Sequence, residues 1–219
     1  MRNWFFNSKK VGKNTPSFFV PITFFKMDDI LNFSRYGDSP IMGGNIPPLI
    51  MDEITEWVNE SKRIKSIPLG ELKAHENAGY RGEEKHNSYQ CSISPYLIEK
   101  SFWLAWVLRL VAKYSENNNN RAYKLRKWEG HFDGYDIWTN FSYKGDDNPS
   151  HNHAGYISGV IYYKNHNHPT IFDDYDLSYP GYDGTMVLFP SHVIHHVEPQ
   201  IEDKERITLA FNIVRNDAI

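Results

Sequence analysis

The spacing of apolar positions changes once along the chain, near Gly130. Before that point the clearest periods are helical. Ile54, Trp57 and Val58 recur at helical intervals, predicting an amphipathic surface helix from Asp52 to about Lys62 with Asp52, Glu53 and Glu56 suited to its first turn. Ser94 followed by Pro95 is a favourable helix entry, and the predicted helix runs to about Tyr114. Its apolar residues cover more than one face, which marks it as the main helix packed on a sheet. Upstream, the aromatic and β-branched run 17–25 predicts an edge strand broken at Pro21, followed by a short helix from Asp28 or Asp29 through Phe33. The Gly- and Pro-rich stretch 37–48 reads as loop, 65–93 as a polar excursion with one strand at 89–93, and Asn117–Asn120 as an exposed loop.

After Gly130 short strands alternate with turns. The strand candidates are 136–143, 156–163, 170–172, 185–189 and 206–214, with turns at 145–149, 165–169 and 180–184. Helices early and strands late predict an all-β core (131–219) wrapped by a helical and mixed N-terminal part (1–130), in one domain. On the last strand, the period of two places Arg206, Thr208, Ala210 and Asn212 on one face and Ile207, Leu209, Phe211 and Ile213 on the other. One face is polar and the other is core. A polar face turned inward makes sense as the wall of a pocket, and Arg206 is suited to hold a carboxylate there through a bidentate pair.

Composition narrows the chemistry. A hydrophobic content of 40%, with 15% aromatic residues in 219, supports a well-packed globular core. The net charge of -3 gives no electrostatic footprint for nucleic acid. Cys91 is the only cysteine, so an internal disulfide and a cysteine-based metal centre are excluded. The first residues do not form a secretory signal, and the apolar run 101–108 is far shorter than the ~20 residues that span a bilayer. A soluble, cytoplasmic protein without a membrane partner is expected.

Any metal must therefore use histidine and carboxylate. Eight of the ten histidines fall between residues 131 and 196. On an extended segment His151 and His153, at i and i+2, point the same way, so both can reach one ion, while His195 must arrive from a separate strand. Three protein ligands on one face leave open the positions at which non-heme Fe(II) oxygenases bind a chelating co-substrate and O2. His166 and His168, in a turn-like NHNHP, read as solvated. His192 and His196 flank His195 and read as supporting or exposed. The loop 173–184, long, aromatic and acidic, is either a lid over the pocket or a simple connection.

The stretches WTNFSYKGDDNPSHNHAGYISGVIYY, GTMVLFPSHVIHHV and ERITLAFNI, spread over residues 138–213, resemble the Fe(II)/2-oxoglutarate-dependent oxygenase superfamily, and within it the prolyl-hydroxylase-like members. The resemblance implies a double-stranded β-helix, a cupin-like jelly roll, that binds Fe(II), 2-oxoglutarate and O2. It further implies hydroxylation with release of succinate and CO2, and leaves the substrate open among a peptide side chain, a small molecule and a nucleobase. His151 matches the first iron ligand, His195 the distal one, and Arg206 the anchor for the far carboxylate of 2-oxoglutarate. Tyr163 matches a position that also bonds that carboxylate, and Tyr143 and Asn212 are further candidates for the co-substrate pocket. His153 stands where the family usually has a carboxylate. Either the site has three histidines or water fills the gap; a register with His153 first and Gly155 in the gap fits the spacing less well. Related halogenases carry a small residue there, which His153 is not. The competing readings are a jelly roll that binds metal or ligand without redox chemistry, and a degenerate oxygenase serving as an interaction module.

Overall fold

The computed structural model describes residues 33–67, 82–85, 88–115, 122–127, 134–165 and 168–216. Among them, two antiparallel sheets face each other without closing into a barrel, and helices cover the outer face of the larger one. In chain order the elements are β1 (Phe33–Arg35), β2 (Met42–Asn45), α1 (Pro48–Lys65), β3 (Gly82–Lys85), β4 (Ser88–Ser92), α2 (Pro95–Glu99), α3 (Phe102–Tyr114), β5 (Tyr123–Leu125), β6 (Ile137–Ser142), β7 (Asn148–His151), β8 (Ile157–Lys164), β9 (Thr170–Phe172), β10 (Leu177–Tyr179), β11 (Thr185–Pro190), β12 (His195–Val197) and β13 (Arg206–Arg215). The larger sheet runs β1-β2-β11-β8-β13-β6-β4-β3, with β5 also paired to β13. The smaller runs β10-β9-β12-β7. This is the mainly β jelly roll with packed helices that the resemblance implied.

Strand parity builds the layers. Ile207, Leu209, Phe211 and Ile213 of β13 join Ile157 and Ile161 of β8 under α1 and α3 in the main core. Aromatic rings lock that layer: Trp103 lies edge-on to Phe211 at 5.0 Å and to Trp57 at 5.4 Å. Gly159 makes this close approach possible, because a Cβ there would sit 2.2 Å from the Phe211 ring. Between the sheets a smaller cluster, including Tyr162, Phe172, Val187 and Phe189, closes one end of the sandwich.

Several elements differ from the sequence reading, each for a tertiary reason. The helix predicted to run unbroken from Ser94 to Tyr114 is two helices, α2 and α3. Ser101 caps α3 by accepting from Leu104 N–H, and the Glu53 carboxylate of α1 accepts from Phe102 N–H (2.8 Å) and Trp103 N–H (2.9 Å). Glu53 therefore caps a neighbouring helix rather than the first turn of its own, which begins at Pro48 and carries no acidic residue there. The stretch read as loop at 37–48 contains β2, whose Gly43 lies against the Tyr179 ring. Phe33 opens β1 instead of ending a helix. The predicted turn at 145–149 yields at Asn148 to β7, an edge strand, where Pro149 is tolerated. The predicted strand at 17–25, the start of the short helix and the loop at 117–120 lie outside the described residues. No helix among the described residues is long and apolar enough to cross a membrane.

Candidate metal and anion site

Three histidines converge between the sheets. His151 ends β7 and His195 opens β12, and the antiparallel pairing sets them directly opposite each other. Their ring centroids are 4.3 Å apart. His153 lies beyond the end of β7, where its N–H donates to the Ser191 carbonyl (2.8 Å) and its ring centroid is 4.8 Å from that of His151 and 5.1 Å from that of His195. One ligating atom from each of the three lies within 4.8 Å of the other two.

The protons on these rings are placed by their partners. His151 Nδ1 is 2.7 Å from the Pro149 carbonyl and His195 Nδ1 is 3.1 Å from the Val193 carbonyl. A carbonyl oxygen only accepts, so Nδ1 carries hydrogen in both and each neutral ring keeps its Nε2 lone pair for a ligand. Burial, and then the neighbouring His151, push the His195 imidazole well below the usual histidine range, to about 4. It is neutral at physiological pH, the form that binds a metal. His153 Nε2 lies 3.3 Å from His195 Nε2, so a cation between them would replace a contact of two nitrogens with two coordinate bonds. The donor set thus fits a divalent first-row metal.

The same cavity, about 430 Å³, has a cationic wall. Arg206, the first residue of β13, is only 5% exposed, and its Nε and Nη1 are buried without a hydrogen-bond partner among the described residues. Burial pulls its pKa below the usual guanidinium value, though arginine stays charged. Asp146 and Tyr162 offset part of the charge, but a buried cation with idle donors remains costly unless an anion arrives. The Tyr162 and Thr170 hydroxyls, hydrogen-bonded to each other at 2.7 Å, line the same cavity. The cavity can hold a metal ion and a bound carboxylate together.

The remaining sequence candidates are placed differently. Tyr163 faces the helices and not the cavity: it packs on the main core, and its hydroxyl reaches Thr55 Oγ1 at 3.4 Å. Its neighbour Tyr162 turns inward, and the signal for it was available, since Tyr163 shares strand parity with the core residues Ile157 and Ile161. Tyr143 is exposed, outside the cavity, with its hydroxyl on Glu205 (2.7 Å) and Lys65. Asn212 lines the cavity, but its Nδ2 donates to Asp136 (2.8 Å) and its Oδ1 accepts from Ser158 (2.6 Å), so its amide is committed within the protein. The segment 173–184 is built into the smaller sheet through β10 rather than standing free as a lid. His168 accepts from Ile201 N–H (3.2 Å), His192 is exposed, and His196 pairs with Asp173 at 3.0 Å on the outer side. His166 lies outside the described residues.

Fold and site together define a jelly roll carrying a three-histidine cluster opposite a buried arginine. Residues 173–212 match the family model described as "Putative 2OG-Fe(II) oxygenase". No curated protein sequence matches the chain. Among solved structures, the dioxygenase for auxin oxidation 1 of Arabidopsis thaliana, a 2-oxoglutarate complex, aligns at TM-score 0.51 and 10% identity, covering 81% of this chain and 84% of that one. A Pseudomonas putida prolyl-4-hydroxylase aligns at TM-score 0.50 and 17% identity over 86% of this chain and 96% of its own. The collagen prolyl hydroxylase of Paramecium Bursaria Chlorella virus-1, a 2OG complex, aligns at 0.50 and 13% over 79% and 94%. The chain has the fold of the Fe(II)/2-oxoglutarate oxygenases, and the family-model match over residues 173–212 supports the resemblance read from its sequence.

Proposed function

We propose that this protein is an Fe(II)- and 2-oxoglutarate-dependent oxygenase that hydroxylates a substrate not yet identified. The observation that carries the reading is Arg206: a purely structural metal site has no use for a buried guanidinium with two idle donor atoms in the same cavity as the histidines. His151, His153 and His195 would hold the iron, and Arg206 would take the far carboxylate of 2-oxoglutarate in a charge-assisted pair. Tyr162 and Thr170 stand beside it as hydroxyl donors. When bound, iron supplies O2 activation coupled to oxidative decarboxylation, so that 2-oxoglutarate, O2 and substrate C–H become succinate, CO2 and substrate C–OH. The chain's own part is to orient the co-substrate and keep its charged end away from water. The substrate has room beside β4, whose Ser88, Gln90 and Ser92 line the cavity with uncharged hydrogen-bonding groups.

The test is anaerobic titration with Fe(II) and 2-oxoglutarate, following the visible charge-transfer band of the chelate. A band that His151→Ala abolishes and Arg206→Ala weakens supports the assignment. Tight metal binding without any response to 2-oxoglutarate would move the reading to a jelly roll that binds metal without redox chemistry.

A further inference from the structure

Two of the three histidines owe their positions to strand pairing, but His153 lies outside any strand. Something else must hold it. The loop carrying it is gripped from both sides by a polar network rooted in one buried carboxylate, Asp136, which is 2% exposed.

Asp136 Oδ2 accepts from Arg126 Nη1 (3.2 Å) and from Asn212 Nδ2 (2.8 Å). The first arm continues from Arg126 Nη1 to the carbonyl of Ala154 (3.3 Å), the residue after His153. The second runs from Asn212 Oδ1 to Ser158 Oγ (2.6 Å), from there to Ser191 Oγ (2.9 Å), and ends where the Ser191 carbonyl accepts the His153 N–H (2.8 Å). The main chain ties the root down as well, with Asp136 N–H on the Arg126 carbonyl (2.7 Å) and Asn212 N–H on the Asp136 carbonyl (3.0 Å). Gly155 completes the arrangement: at φ +155° it passes so close to Ser191 that a Cβ would lie 2.9 Å from Oγ.

We infer that Asp136 is the positioning residue for His153, fixing the third imidazole through the Arg126–Ala154 arm and the Asn212–Ser158–Ser191 arm. The inference rests on the metal reading of the three histidines and adds to it the reason the loop residue joins the two strand residues. A buried carboxylate is costly unless it is paired, and pairing with helix or sheet backbone would serve stability alone. Here one arm ends on the Asn152–His153 peptide unit and the other on the Ala154–Gly155 unit, so the two hold the short stretch that contains His153 from either end.

The experiment uses Co(II) as the probe, because its visible d–d bands report the number and geometry of ligands. Wild type, His153→Ala, Asp136→Asn and Ser61→Ala are titrated, and their folding is checked by thermal unfolding without metal. Ser61 is the control, since its buried hydrogen bond to Thr139 (3.0 Å) touches β6, the strand that Asp136 immediately precedes, from the helix side. The expected result is a Co(II) affinity ~10- to 100-fold lower in Asp136→Asn, with bands moved toward those of His153→Ala. Ser61→Ala should lower the melting temperature and leave the bands alone. Should Asp136→Asn fail to fold, Arg126→Gln and Ser158→Ala each cut one arm and should each move the bands part of the way. Wild-type affinity and bands in a folded Asp136→Asn, or in both single-arm variants, overturn the inference while leaving the metal site standing. Wild type that binds Co(II) no better than His153→Ala removes His153 from the ligand set and overturns this inference, and wild type that binds no Co(II) at all overturns the metal reading itself.

Discussion

His195 stands directly across from His151 on adjacent antiparallel strands, their ring centroids 4.3 Å apart. Two residues far apart in sequence are thus set in register by backbone hydrogen bonds rather than by loop packing. His151→Ala or His195→Ala should each lower metal affinity by at least ~100-fold, beyond the 10- to 100-fold typical of losing an outer-shell partner. Competition against a chromophoric chelator measures this. Equal affinity in a folded variant would remove that residue from the ligand set.

Arg206 makes opposite predictions for binding and for stability. Replacing it by Met removes a buried charge whose Nε and Nη1 have no hydrogen-bond partner among the described residues, so the ligand-free protein should gain about 1 kcal/mol. The same change should weaken 2-oxoglutarate binding by about two charge-assisted hydrogen bonds, roughly 3 kcal/mol or 100-fold. Urea unfolding reads the first and calorimetric titration of the metal-loaded protein the second. Loss of stability together with unchanged 2-oxoglutarate affinity would make Arg206 a structural arginine.

The two neighbouring tyrosines separate the cavity wall from the core. Tyr162→Phe, losing a hydroxyl bonded to Thr170 inside the cavity, should raise the KM for 2-oxoglutarate by about 5- to 10-fold, the loss of one hydrogen bond of ~1 kcal/mol. Tyr163→Phe gives up only a 3.4 Å contact with Thr55 and should change KM by less than about twofold. Steady-state succinate release distinguishes them, and the reverse ranking would restore Tyr163 to the co-substrate pocket.

These contrasts show where sequence alone was informative. The alternation along β13 placed Arg206 and Asn212 on the cavity face because a strand's period of two holds wherever pairing is regular. The same rule applied to β8 puts Tyr163 with Ile161 in the core; it was the likeness to a family position that pointed the other way. β7 and β12 are too short and too polar to announce themselves, and the histidines they carry are the main sign of them. The break between α2 and α3 depends on Glu53, about 50 residues away, and no local period reports such a partner. Asp136 was equally silent, since its role follows from Arg126 and Asn212 meeting at one carboxylate oxygen.

Burial of His195 sets a pH dependence whose sign can be worked out. Its folded pKa of about 4 lies below the usual 6.5, so between these values the unfolded chain binds the extra proton and the native state does not. Stability contributed by the neutral imidazole is fully present above pH 6.5 and is lost as pH falls toward 4, up to about 3 kcal/mol in all. Glu205, whose folded pKa is also lowered, adds a loss of the same sign at more acidic pH, below the usual 4.5 of a glutamate. The His195 share is isolated by comparing metal-free wild type with His195→Gln in urea at about pH 7 and about pH 4.5. Wild type should lose markedly more stability than the variant across that interval. Bound metal should steepen the difference, because protons compete for the same Nε2 lone pairs. Parallel pH profiles would mean that His195 already accepts a proton in the native state near its usual pKa, and the neutral ligand set would no longer stand.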